Sequence, residues 1–166
     1  MSLLVVLLLA VAPVETPAAR AEARSRGELT GDPGLQACRR ALALGLAAAR
    51  VGPVRELLAR HLVSLERWEE LDAHLAEDVR LHPAQAGFAF RRGANLLFAL
   101  GRAEESLALL EEAVRLAPDS AEYRAVHALA LSARGRTQEA AAEFEEALRL
   151  DPEVLAGRPA ALAVLE

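Results

Sequence analysis

Lysine and isoleucine are both missing from this chain of 166 residues. All 19 basic residues are therefore arginine, set against 24 acidic ones for a formal net charge of −5. Acids and arginines interleave instead of gathering in blocks, which excludes the basic face that a nucleic-acid partner needs to displace counterions. The all-arginine usage fits the codon bias of a GC-rich genome better than selection for guanidinium chemistry. A single cysteine, Cys38, rules out an intramolecular disulfide, and its Ala/Leu-rich surroundings suit a small buried apolar residue. Aromatics are only 4% of the residues while apolar residues are 53%, so the core must be built from Ala, Leu and Val. With isoleucine missing and threonine scarce, those sizes favour packed helices over a sheet.

Catalytic signatures are missing too. There is no GxSxG, no Gly-rich phosphate loop, no HExxH and no paired-carboxylate site. The histidines, His61, His74, His82 and His127, lack metal-ligand spacing. His82 precedes a helix-stopping proline, where an imidazole suits the helix dipole, and His127 falls at a packing position. The pairs Glu104-Glu105, Glu111-Glu112 and Glu145-Glu146 fall on outward helix faces. We expect no catalytic residue, no metal ligand and no cofactor.

Charge is absent from LLVVLLLAVAPV, residues 3–14. As a helix this run is too short to span a bilayer, and it matches the core of a signal peptide. Ala19-Arg20-Ala21 offers a cleavage point, although no arginine precedes the run, and no nearby cysteine supports a lipoprotein anchor. Residues 1–21 are therefore expected to be a signal peptide. That sends the mature protein to the bacterial envelope, periplasmic or secreted, with a membrane tether through 3–14 as the alternative. Residues 22–31 read as a flexible leader.

What the chain does contain is helical punctuation. Asp32-Pro33 supplies an N-cap and a first-turn proline for an N-terminal packing helix within 32–51, whose apolar run 35–50 continues to Gly52-Pro53. Six further helix-sized pieces follow at 53–65, 68–81, 87–100, 103–116, 121–133 and 137–150. Gly101 and Gly135 mark two short turns, and Pro83, Pro118 and Pro152 mark the other stops. Leu107, Leu110, Val114 and Leu116 recur at the spacing of one apolar helix face. Seven helices with short joints leave no room for a sheet, so the fold class is all-α.

Gly101 and Gly135 lie 34 residues apart, as do Arg102 and Arg136, Ala113 and Ala147, Leu116 and Leu150, and Pro118 and Pro152. That is the helix–turn–helix period of a solenoid, with units at 52–85, 87–120 and 121–154 and a short C-terminal segment at 155–166. These residues resemble the tetratricopeptide repeat family. The third unit carries its pattern in Ala128, Gly135, Ala140, Phe144, Ala147 and Pro152. The second does so in Phe90, Ala94, Gly101, Leu110, Ala113 and Pro118, with Ser106 in place of the first second-helix alanine. Gly93 and His127 stand where the family usually has leucine. In the first unit Glu66 replaces the turn glycine and Asp78 the second alanine. The resemblance implies a right-handed solenoid of about three helical hairpins after an extra N-terminal helix.

The resemblance also implies a function. The first helices of successive repeats line a concave groove that holds a peptide or a partner helix. The groove positions here are Glu56 and Arg60, Arg91 and Asn95, and Ala125 and Leu129, with Phe88 and Phe98 flanking the middle pair. Arg91 and Asn95, one helical turn apart, look like part of a carboxylate clamp; a merely solvated surface is the other reading. The candidate binding residues are thus Arg60, Phe88, Arg91, Asn95 and Phe98. The expected function is a non-catalytic scaffold for a protein or peptide partner. The alternative is a structural module that assembles through its exposed solenoid ends, because EVLAGRPAALAVLE supplies at most a minimal cap. A homo-oligomer stays open, and membrane contact is expected only if residues 3–14 are not removed.

Overall fold

The computed structural model describes residues 33–44 and 48–156. The expected signal peptide, the leader and residues 157–166 lie outside them. Every regular element among the described residues is helical: α1 (Pro33–Ala43), α2 (Ala48–Ser64), α3 (Trp68–Leu81), α4 (Ala86–Ala94), α5 (Ala103–Leu116), α6 (Ala121–Ala133) and α7 (Thr137–Leu150). A π-helical turn, Asn95–Ala99, continues α4. The chain divides into two compact units between Arg67 and Trp68, inside the repeat at 52–85.

In the first unit α1 packs on α2, and the core residues are Leu35, Cys38, Ala41, Val54, Leu58, Ala59 and Leu62. The helix expected over 35–50 is not continuous: α1 ends at Ala43 and Leu44 is a turn. Nor does Pro53 open a helix, because α2 begins at Ala48 and carries Pro53 inside it. Gly52 has no β-carbon to crowd the proline ring, so the residue before Pro53 can remain helical. At Gly34 the backbone of α1 meets His61 of α2 so closely that a β-carbon would lie 2.3 Å from its Nε2.

The second unit is a stack. Helix α3 lies on α4, α4 pairs with α5 and α6 with α7, and α5 joins the two hairpins. Phe144, Ala140 and Ala147 of α7 are wholly buried with Ala125, Ala128 and Leu131 of α6, and Leu155 closes that cluster beyond α7. Leu110 of α5 packs against Val126 and Ala130 of the following hairpin, with Phe90, Ala94 and Leu97 beside them. Ser106 is buried in the first alanine position of α5, its hydroxyl donating to the carbonyl of Ala103 at 2.8 Å. Gly93 explains its own departure from leucine. A β-carbon there would lie 2.7 Å from Leu110 Cγ and 2.9 Å from Cδ2, so α4 and α5 approach as only glycine allows.

The hairpin turns repeat one device. Glu66, Gly101 and Gly135 all adopt positive φ, at 54°, 65° and 73°. In the first and third turns the next residue donates five positions back, Arg67 to Leu62 and Arg136 to Leu131, which closes the helix end. In the second turn Arg102 donates to Leu96, six positions back, because the π-helical turn holds one extra residue. Glu66 pays the steric cost that the glycines avoid. Glu66→Gly is expected to raise stability by roughly 1 kcal/mol, read from denaturant unfolding. By the same method Gly93→Ala should cost about 1–3 kcal/mol through overpacking against Leu110, and Phe144→Ala about 3–5 kcal/mol.

Candidate protein-interaction face

Residues 88, 91, 95 and 98 follow one another at three- and four-residue steps along α4 and its π-helical turn, a spacing that forms one stripe on a helix. The structure separates them by environment. Phe88 is half-buried, its ring stacked on His82 with centroids 5.2 Å apart. Arg91 is half-buried. Phe98 is 62% exposed, the most exposed large apolar side chain among the described residues of the second unit.

Asn95, the other half of the expected clamp, is tied into the fold. It is 7% exposed, and its Nδ2 donates to the backbone carbonyl of Trp68 at the start of α3, at 3.2 Å. One amide N–H thus joins α4 to the start of α3. Its neighbour Arg92 joins the same two helices, with Nε and Nη2 donating to the Asp72 carboxylate at 3.0 and 3.4 Å. On α6, Ala125 is fully buried and contributes nothing to a groove surface. Leu129 is half-buried, and Glu122, one 34-residue period after Phe88, is exposed. Arg60, in the first unit, is exposed and stands 3.6 Å from Glu56, its partner one helical turn earlier.

Two histidines and their carboxylate neighbours lie inside the packing. His74 Nε2 lies 3.5 Å from Asp78 Oδ2 in the interior of α3, so the aspartate at an alanine position has a local partner. Arg124 bridges the carbonyl of Pro118 and the Glu143 carboxylate, both at 2.9 Å. His127 Nδ1 is buried 3.8 Å from the other Glu143 oxygen, outside hydrogen-bond length. Together His127 and Arg124 hold the Glu143 carboxyl below the ordinary carboxylate range, against the opposing effect of burial. No group of three His, Cys, Asp or Glu side chains among the described residues is placed to hold a metal ion. None of the described helices is long and apolar enough to cross a membrane.

Arginine forks organise the outer helices. Arg80 with Glu77, Arg115 with Glu112, and Arg149 with Glu146 form the same two-pronged pair near the ends of α3, α5 and α7. Arg102 with Glu105 and Arg136 with Glu139 do so at the starts of α5 and α7. Arg134, just after α6, reaches Glu104 of α5 at 2.6 Å, across hairpins. The pairs at Arg102 and Arg136, and those at Arg115 and Arg149, recur at the 34-residue spacing. The Asn95–Trp68 bond had no such signal, because a backbone carbonyl carries no residue identity.

A carboxyl held low in the folded chain adds stability above its unfolded value near pH 4.3, and that contribution is lost as pH falls through the folded value. Glu143→Gln should therefore flatten the acid limb of the unfolding midpoint plotted against pH. Asn95→Leu, which leaves the Trp68 carbonyl without its donor, should cost about 1–3 kcal/mol in denaturant unfolding.

The tetratricopeptide repeat family model matches residues 90–120 and 121–154. Comparison with curated proteins gives no match. Among solved structures, MamA MSR-1 is 22% identical with a TM-score of 0.64, over 90% of this chain and 86% of its own. YrrB, described as a TPR protein with an unusual peptide-binding site, is 19% identical with a TM-score of 0.62, over 78% of this chain and 62% of its own. The second TPR domain of the human RPAP3 protein, solved in complex with the HSP70 peptide SGPTIEEVD, is 20% identical with a TM-score of 0.57. That likeness covers 67% of this chain and 88% of the domain. At these identities the likeness is one of fold. With the family model matched over two consecutive repeats, and those repeats stacked as hairpins in the structure, residues 90–154 are two tetratricopeptide repeats.

Proposed function

We propose that this protein is a non-catalytic scaffold that captures a protein or peptide partner on the first-helix face of its repeats. Phe98 carries the reading: a phenylalanine left 62% exposed beside a tightly packed hairpin is surface that a partner can cover. Two similar folds, YrrB and the RPAP3 domain, are described with a peptide-binding site and a bound peptide. Phe88, Arg91 and Phe98 are the contact residues, and Asn95 supports the face from behind. The Leu/Val run at 3–14 sends the chain across the inner membrane before it acts, in a periplasmic or secreted location.

Crosslinked capture from an envelope extract tests the binding face. Arg91→Ala combined with Phe98→Ala should abolish the specific partner band while helicity by circular dichroism stays intact; unchanged capture overturns the assignment. Export has its own measurement. N-terminal sequencing of the protein from its native host should begin at Glu22, and a chain that retains residues 1–21 overturns cleavage.

A further inference from the structure

The three hairpin turns differ in one respect that their residue counts do not explain. Each first helix runs to a residue of positive φ, Glu66, Gly101 or Gly135. In two of them the amide after that residue closes on the carbonyl four places before it, Leu62 and Leu131. In the second turn Arg102 closes on Leu96, five places before Gly101, and Leu100 donates to Asn95 at 3.2 Å within the π-helical turn Asn95–Ala99. A π-helical turn is a rare and less favourable winding that persists where surrounding contacts over-determine it.

The residue six places before the positive-φ position separates the cases. It is Arg60 in α2, Asn95 in α4 and Leu129 in α6. Arg60 is exposed beside Glu56, and a leucine has no side-chain donor. Asn95 opens the π-helical turn, is 7% exposed and donates to the carbonyl of Trp68, the first residue of α3. At the matching place in α5, the carbonyl of its first residue, Ala103, accepts instead from the Ser106 hydroxyl of its own helix. Arg92 with Asp72 holds α4 to α3 just before Asn95, so the helix is gripped up to the point at which its winding widens.

Winding decides direction. In an α-helix, residues seven apart lie within about 20° of one line, so Arg91 and Phe98 would be aligned. A turn closed by i→i+5 bonds advances less per residue and displaces Phe98 around the axis by roughly 50°. We infer that Asn95 is a positioning residue: its buried amide holds the π-helical turn, and the turn sets where Phe98 stands relative to Arg91. The inference rests on the binding face proposed above and adds the residue that aims it.

Asn95→Leu copies α6, and Asn95→Ala removes the amide without adding bulk. In crystal structures of both, the Arg102 amide should donate to Leu97, as Arg136 does to Leu131, and the Leu100 bond to Asn95 should be lost. A merely stabilising Asn95 would weaken the fold without moving that acceptor. In the crosslinked capture above, both variants should give a partner band about tenfold weaker at matched helicity, with Phe88, Arg91 and Phe98 all in place. An Arg102 amide that still donates to Leu96 overturns the inference. So does a rewound turn with undiminished capture, which leaves the binding face standing as long as Arg91→Ala with Phe98→Ala abolishes the band. If that double variant captures normally, the face itself fails and the inference with it.

Discussion

At Gly93 the backbone of α4 comes so near Leu110 that a β-carbon would fall 2.7 Å from its Cγ. The second unit is organised around that contact. Because α4 sits this close, Leu110 can fill the hairpin and still reach Val126 and Ala130 of the next one. One side chain therefore ties α5 both to its own partner helix and to the following repeat. Ala128, Ala140 and Ala147 create the equivalent room in the last hairpin, where Phe144 occupies the space they leave. Small residues at the crossings and a large one between them form a single packing unit, which explains why both recur at one period.

Polar residues occupy several places where the repeat pattern calls for alanine or leucine, and each is handled differently. The Ser106 hydroxyl turns back to a carbonyl in its own helix, so an alanine-sized residue is kept at no loss of hydrogen bonding. Asp78 has His74 within the same helix. Asn95 is used between helices, fixing α4 to the first residue of α3, and Arg92 with Asp72 reinforces the same junction. His127 is the least settled, its Nδ1 buried without a hydrogen bond beside a carboxylate already shared with Arg124. These polar contacts make the junctions specific in geometry where alanine and leucine alone would allow sliding.

The charges divide the surface in a comparable way. Forked arginine–glutamate pairs repeat along α3, α5 and α7, where the two signs cancel locally and exposed geometry limits what each pair adds to stability. What survives the cancellation is negative. The second helices thus carry a paired polar coat, while the α4 stripe presents aromatic surface at Phe88 and Phe98 with Glu122 on α6 one period later. Packing residues repeat from hairpin to hairpin, while the exposed residues of the first helices differ.

Helices α3, α5, α6 and α7 were legible to the residue, because Pro83, Pro118, Pro152, Gly101 and Gly135 stop helices by local backbone sterics that need no tertiary partner. The 34-residue register likewise placed Phe144, Leu110 and the small crossing residues in the core, since burial follows periodicity. Other features were decided only by tertiary structure. The break after Ala43 and the helix running through Pro53 depend on how α1 and α2 pack, and the same local signals would permit a different division. The π-helical turn at Asn95–Ala99 has no motif of its own, yet it changes the closure of the turn at Gly101. At the candidate face the sequence determined which residues share a stripe. Tertiary contacts then withdrew Asn95 to a backbone carbonyl and left Phe98 in solvent, because spacing fixes direction along a helix while burial depends on what packs against it.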